Sequence, residues 1–216
     1  LKSDEPFYHN KIGFSVLASA VLMNLLKKQR DAVGLSVYSD TYEYYAPEKG
    51  SDRHHRMILN KLEDLLENPK QAKSTDTVTY LHQIAEKMHR RSMIILFTDM
   101  FDPNANDGKS EALFNALQHL KHDKHRVVVF HVIDKQTEIN FNFDNAPRKF
   151  IDLETGEQIN IFADSIKEAY EEKVAAYFKS LALTCAQNKI KYVPVAVEES
   201  FEKILTTYLV EKQLFG

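Results

Sequence analysis

The stretch MIILFTDMFD, residues 93–102, determines the fold class of this chain. Its first five residues are all apolar, which is typical of a parallel strand covered by helices on both faces. The run stops at Thr98-Asp99, and a turn rich in carboxylates follows. Because ligands of open α/β sheets bind beyond the carboxyl ends of the strands, this turn is the first place to look for a functional site.

The segments on either side alternate between helix and strand. Pro47 is expected to end its strand, and Pro194 indicates that the last strand lies at a sheet edge. The alternation predicts right-handed crossovers, and hence an α/β fold with a doubly wound, mostly parallel sheet and helices on both faces. The sequence predicts helices over residues 11–29, 53–67, 77–90, 109–122, 165–187 and 200–212, and strands over 31–39, 41–46, 93–97, 127–133 and 192–195.

Residues 135–163 interrupt this alternation. Phe150–Leu153 and Gln158–Ile161 flank Glu154-Thr155-Gly156-Glu157, which is the pattern of a β-hairpin with Gly156 in its turn. We therefore expect a hairpin insertion around residues 149–162 in a single domain that spans residues 1–216.

The composition is that of a globular domain. The chain has 216 residues, of which 44% are hydrophobic and 27% charged. A net charge of -3 argues against nucleic acid as the main partner.

The single cysteine, Cys185, lies in an apolar helical stretch, which predicts a buried thiol in a reducing compartment. The most apolar segment, residues 12–26, is too short and too polar to span a membrane, so we expect a buried helix and no membrane contact.

Two segments supply hydroxyl and carboxylate oxygens at the expected edge of the sheet. Ser74-Thr75-Asp76 precedes a predicted helix, and Thr98-Asp99 follows a predicted strand. Such hard oxygen ligands suit Mg²⁺ or Mn²⁺. The alternative interpretation is purely local, with Asp99 capping the next turn and Thr75 or Asp76 capping the helix.

The order and spacing of these segments resemble the von Willebrand factor A-like domain of the family called domain of unknown function 58. The resemblance covers nearly the whole chain. It is carried by Lys73–Thr77, Arg90–Asp102, Asp31–Leu35, His131–Asp134 with Glu138 after it, and the hairpin at Phe150–Ile161.

The resemblance implies a metal-ion-dependent adhesion site. Thr75 matches its threonine position and Asp99 its aspartate position. We expect Asp102 to support the loop or to act as an acid in the outer shell. A carboxylate from a partner protein would complete the shell of Mg²⁺ or Mn²⁺. The resemblance further implies a cytoplasmic bacterial protein that works with a MoxR-type AAA ATPase to assemble or activate a client complex. We expect that it is not an enzyme, because no residue near the site looks like a nucleophile with its base.

One part of the family pattern is missing. Its Asp-x-Ser-x-Ser motif would end a first central strand, yet only ten residues precede the first predicted helix. Either that strand lies outside this chain or the pattern has degenerated and no metal binds. We expect the former, since a parallel sheet without its middle strand would leave backbone groups of two neighbours unpaired.

Two other functions compete with an interaction module. One is a metal-dependent hydrolase that uses Asp99 and Asp102, although the carboxylates of comparable phosphatases are two residues apart and these are three apart. The other is a structural interaction domain that needs no metal. No glycine-rich phosphate loop is present to indicate nucleotide binding.

Two groups of histidines are expected to be solvated. His119, His122 and His125 recur every third residue and could offer a zinc face, but neighbouring lysines favour an exposed basic edge. The pair His54-His55 is expected at an exposed helix start.

Overall fold

A computed structural model describes residues 10–38, 42–68, 77–89, 91–99, 109–121, 124–140, 148–151, 158–161 and 163–215. Within these residues the helices are α1 (Lys11–Lys28), α2 (Asp52–Glu67), α3 (Thr77–Lys87), α4 (Lys109–Lys121), α5 (Ala163–Gln187) and α6 (Glu202–Phe215). The strands are β1 (Val33–Tyr38), β2 (Tyr42–Lys49), β3 (Met93–Thr98), β4 (Arg126–Ile133), β5 (Arg148–Ile151), β6 (Gln158–Ile161) and β7 (Lys191–Ala196), and a five-residue π-helix (Lys135–Ile139) follows β4.

Three of these strands form a parallel sheet in the order β3-β4-β7. The middle strand, β4, is buried from Val127 to Ile133. Its side chains alternate between faces: Val127 and Val129 pack with α3, α4 and α5, whereas Val128 and Phe130 pack with α1 and α6. The predicted α/β architecture, with helices on both faces of a parallel sheet, is confirmed for these three strands.

Two further sequence predictions are confirmed in this region. Among the strands that the structure describes, β7 lies at the end of the order, so Pro194 occupies an edge strand, where its missing N–H breaks no ladder. Cys185 of α5 is fully buried under the sheet. Burial raises the pKa of its thiol to about 11, as expected for a packing residue.

β1 and β2 pair with each other in an antiparallel sheet of their own. The prediction that Pro47 ends its strand is wrong, because β2 continues to Lys49. Leu35 pairs with Ala46 but Val33 pairs with Lys49, so β2 carries one extra residue there. Such a bulge accommodates a proline without breaking the strand.

Gly34 is required opposite this bulge. A Cβ atom at Gly34 would lie 2.8 Å from the carbonyl oxygen of Ala46, closer than a side chain tolerates. The close approach of the two backbones therefore explains the glycine.

Helix α1 packs against both sheets. Phe14 and Leu22 contact the parallel sheet, whereas Val16 and Met23 pack with β1, β2 and α2. This explains the apolar character of α1 on most of its sides, which the sequence predicted. No helix within the described residues combines the length and apolar character needed to cross a membrane.

β5 and β6 pair in antiparallel fashion, with Arg148 opposite Ile161 and Ile151 opposite Gln158. The predicted hairpin insertion is thereby confirmed. Its turn, including Gly156, lies outside the described residues.

Candidate functional site

The carboxyl ends of β3 and β4 meet at one edge of the parallel sheet. Their register pairs Thr98 with His131, so Asp99 and the π-helix after β4 extend from the same rim. The side chain of Asp99 is 68% exposed. The sequence predicted Asp99 at this edge, and the structure places it there.

Lys11, the first residue of α1, reaches this edge as well. Its ammonium nitrogen forms an ion pair with Glu138 of the π-helix and lies 3.9 Å from a carboxylate oxygen of Asp99. Lys11 is therefore held mainly by Glu138, and the carboxylate of Asp99 remains largely open to solvent. Nothing in the local sequence could reveal this pair, because its two members are 127 positions apart.

The π-helix fixes Glu138. Asp134 caps it, since a carboxylate oxygen of Asp134 accepts hydrogen bonds from the backbone of Gln136 at 2.9 Å and Thr137 at 3.2 Å. A carboxylate oxygen of Glu138 accepts a hydrogen bond from the Asp134 backbone N–H at 3.0 Å. The hydroxyl of Tyr170 on α5 donates to the Glu138 carbonyl at 3.2 Å. These contacts hold the partner of Lys11 in one place.

His131 lies below the rim and is completely buried. Its Nδ1 is 2.7 Å from the hydroxyl oxygen of Tyr192, and its ring packs edge-on against Phe178. Burial lowers the pKa of His131 to about 4; the charge of Lys11 acts in the same direction, and Asp99 opposes the shift. The imidazole is therefore neutral near pH 7.

The end of β1 lies near the same rim. Burial raises the pKa of Tyr38 above its usual range, and the negative charge of Asp99 adds to this effect. The ring of Tyr38 stacks on Tyr80 of α3, with the ring centroids 5.7 Å apart. Asp99 therefore lies beside elements from both sheets.

Of the three predicted metal-site residues, only Asp99 can be placed. Thr75 and Asp102 lie outside the described residues. Within the described residues, no group of three or more histidine, cysteine or acidic side chains could hold a metal ion. In the described part of this edge the Lys11 ammonium lies between the carboxylates of Asp99 and Glu138. This arrangement does not by itself fit a divalent cation, so a magnesium site would need further oxygen ligands from outside it.

The expectation of an exposed pair at His54-His55 is wrong, because both side chains are buried. His54 Nε2 donates to the Val33 carbonyl at 2.9 Å, and His55 Nδ1 donates to the Ser51 carbonyl at 3.0 Å. His54 therefore ties the first turn of α2 to β1, whereas His55 bonds back to the N-cap residue of its own helix. Polarity alone does not predict these contacts.

The expectation for the other histidines is partly wrong. His125 is buried, and its Nδ1 accepts a hydrogen bond from the Ser92 backbone N–H at 3.1 Å. His119 is exposed as expected, but it contacts His82 of α3, with their Nδ1 atoms 2.8 Å apart. His122 lies outside the described residues.

These observations define an α/β protein of three layers with its candidate site at the carboxyl edge of a parallel sheet. Residues 7–179 match the family described as "Protein of unknown function DUF58", and the chain belongs to this family. The family suggested by the sequence resemblance is thereby confirmed. Searches of curated proteins and of solved structures found no match.

Proposed function

We propose that the chain is a non-enzymatic protein-interaction module that binds its partner at the carboxyl edge around Asp99. The observation that carries this proposal is the exposure of the Asp99 carboxylate directly after a strand of the parallel sheet. Ligands of such sheets bind at this edge. Lys11, which lies 3.9 Å from Asp99, is engaged more closely by Glu138, so the exposed Asp99 carboxylate can attract a cation or a basic group of a partner.

The finer form of this proposal is a von Willebrand factor A-like domain that depends on Mg²⁺ or Mn²⁺. Asp99 and Thr75 would be ligands, Asp102 an outer acid, and a carboxylate of the partner would complete the shell. Membership of the family supports this form, and so does the position of Asp99. The partner we propose is a MoxR-type AAA ATPase.

This form also requires that the two sheets belong to one doubly wound sheet. Helix α1 packs against the parallel sheet and against the β1–β2 pair. Within the described residues, β1 pairs only with β2 and β3 pairs only with β4, so each has one edge on which no described strand is paired. A strand from outside these residues would then fit between β1 and β3, because open strand edges carry backbone groups that need partners.

The test is binding of a purified MoxR-type ATPase in Mg²⁺ and in chelator, with Asp99→Asn as the variant. We expect Asp99→Asn to weaken the Mg²⁺-dependent binding about 30-fold or more, as for a charge lost from the centre of an interface. Glu168→Gln is the matched control, because it removes an exposed carboxylate from α5, and its affinity should equal that of the wild type. Circular dichroism checks that both variants are folded.

The other outcomes identify the competing functions. Equal binding in chelator and in Mg²⁺, with Asp99→Asn unaffected, would indicate an interaction domain that needs no metal and uses another surface. Phosphate ester hydrolysis that is lost in Asp99→Asn would indicate the hydrolase.

A further inference from the structure

We propose that His82 and His119 form a binding site for a late first-row divalent cation, Cu²⁺ or Ni²⁺, which links α3 to α4. The observation is the distance of 2.8 Å between the Nδ1 atoms of the two rings. The ring centroids are 5.0 Å apart and the rings are tilted by 44°. This site is independent of the carboxyl edge, since it uses neither Asp99 nor any residue that contacts it.

The Nδ1 atoms of the two rings lie within hydrogen-bond distance of each other. A neutral imidazole carries one N–H and one lone pair, so two facing Nδ1 atoms at this distance share a single proton. A metal ion that replaces this proton gains both lone pairs. His82 is half-buried and His119 is exposed, so the ion can enter from solvent.

The separation of the nitrogens selects the kind of metal. With metal–nitrogen bonds of about 2.0–2.1 Å, two ligands of a tetrahedral ion lie about 3.3 Å apart, and two adjacent ligands of a square-planar ion about 2.9 Å apart. The observed 2.8 Å fits two ligands at about 90°, as in the square-planar and tetragonal sites that Cu²⁺ and Ni²⁺ prefer, and not the wider angle of a tetrahedral ion. Mg²⁺ and Mn²⁺ are excluded from this site because they favour oxygen ligands.

The helices hold the pair in this geometry. Leu81 precedes His82 and Leu120 follows His119, and both leucines are fully buried in the core that α3 and α4 share. The backbone that carries each ring is therefore fixed by packing, and the site is formed before the metal arrives. Within the described residues the protein supplies two ligands, so water completes the shell.

The experiment is a titration of the chain with Cu²⁺, followed by electron paramagnetic resonance of the bound ion. We expect two equatorial nitrogen ligands in the wild type and one in His82→Gln or His119→Gln. Each variant should bind Cu²⁺ at least about tenfold more weakly, since even loss of a group that only orients a ligand has an effect of this size. His89→Gln is the matched control, because it removes a histidine just beyond α3 that lies outside the pair.

A second readout is thermal unfolding in Ni²⁺. Because only the folded chain brings the two rings together, Ni²⁺ should raise the Tm of the wild type and of His89→Gln, and not that of the pair variants. Unchanged Cu²⁺ affinity in both pair variants, or an equal loss in His89→Gln, would overturn the proposal. Neither result bears on Asp99, whose test uses Mg²⁺ and a protein partner.

Discussion

The parallel sheet and the β1–β2 pair are stabilised in different ways. In β4 every residue from Val127 to Ile133 is buried. In β1 only Val33 is buried, Gly34 is exposed, and the other residues are partly exposed. The parallel strands lie between two layers of helices, and β1–β2 depends on α1, α2 and the fit between two backbones at Gly34. The difference indicates that most of the stability arises in one sheet, while the other tolerates irregular pairing.

The largest expected effect comes from truncating the core of the parallel sheet. Phe130 is fully buried and stacks on Phe97, with the ring centroids 5.2 Å apart. Phe130→Ala should lower the free energy of unfolding by about 3–5 kcal/mol, because it leaves a cavity between the sheet and the layer formed by α1 and α6. Leu35→Ala in β1, where the side chain is only partly buried, should lower it by less than about 2 kcal/mol.

Urea denaturation followed by circular dichroism measures both losses. An equal fall in the free energy of unfolding of Phe130→Ala and Leu35→Ala would contradict the proposed difference between the two sheets. Equal losses would mean that β1–β2 and the parallel sheet contribute alike to one cooperative core.

The same difference explains what the sequence could predict about the fold. β3 and β4 were predictable to within one or two residues, because a strand buried on both faces leaves a continuous apolar run. The separate antiparallel pairing of β1 with β2 was not, because the bulge and the close approach at Gly34 arise from contact between strands. The π-helix was missed because Asp134 and Glu138 stabilise it through caps and a distant ion pair.

The candidate site was predictable to a similar extent. Asp99 follows a recognisable strand, and the position beyond such a strand is fixed by the fold. Lys11 was not predictable, because its partner Glu138 is brought to it only by the packing of α1 against the sheet. Burial of His54 was missed for the same reason, since its hydrogen-bond partner is a backbone carbonyl of another element.

The second prediction concerns the pH dependence of the free energy of unfolding that arises from His131 in the parallel sheet. The pKa of His131 is about 4 in the folded chain and about 6.5 when it is unfolded, so the unfolded chain binds an extra proton between these values. The stability that depends on neutral His131 is therefore complete above pH 6.5 and is lost as the pH falls towards 4. Between pH 7 and pH 5 the free energy of unfolding should fall by about 2 kcal/mol from this residue.

Urea denaturation at the two pH values tests this, with His131→Gln as the variant that cannot titrate. The glutamine can still form a hydrogen bond with Tyr192. A fall of equal size in both proteins would assign the pH dependence to other groups.

The smallest expected effect concerns the two prolines inside strands. Pro47 lies at the bulge of β2 and Pro194 in the edge strand β7, and neither position needs a backbone N–H for the ladder. Pro47→Ala and Pro194→Ala should each lower the free energy of unfolding by about 0.4–1 kcal/mol, because alanine gives the unfolded chain more freedom and costs no hydrogen bond. A loss above about 2 kcal/mol for Pro47→Ala alone would show that the proline ring itself holds the bulge, and that the β1–β2 pair is less tolerant than its partial burial indicates.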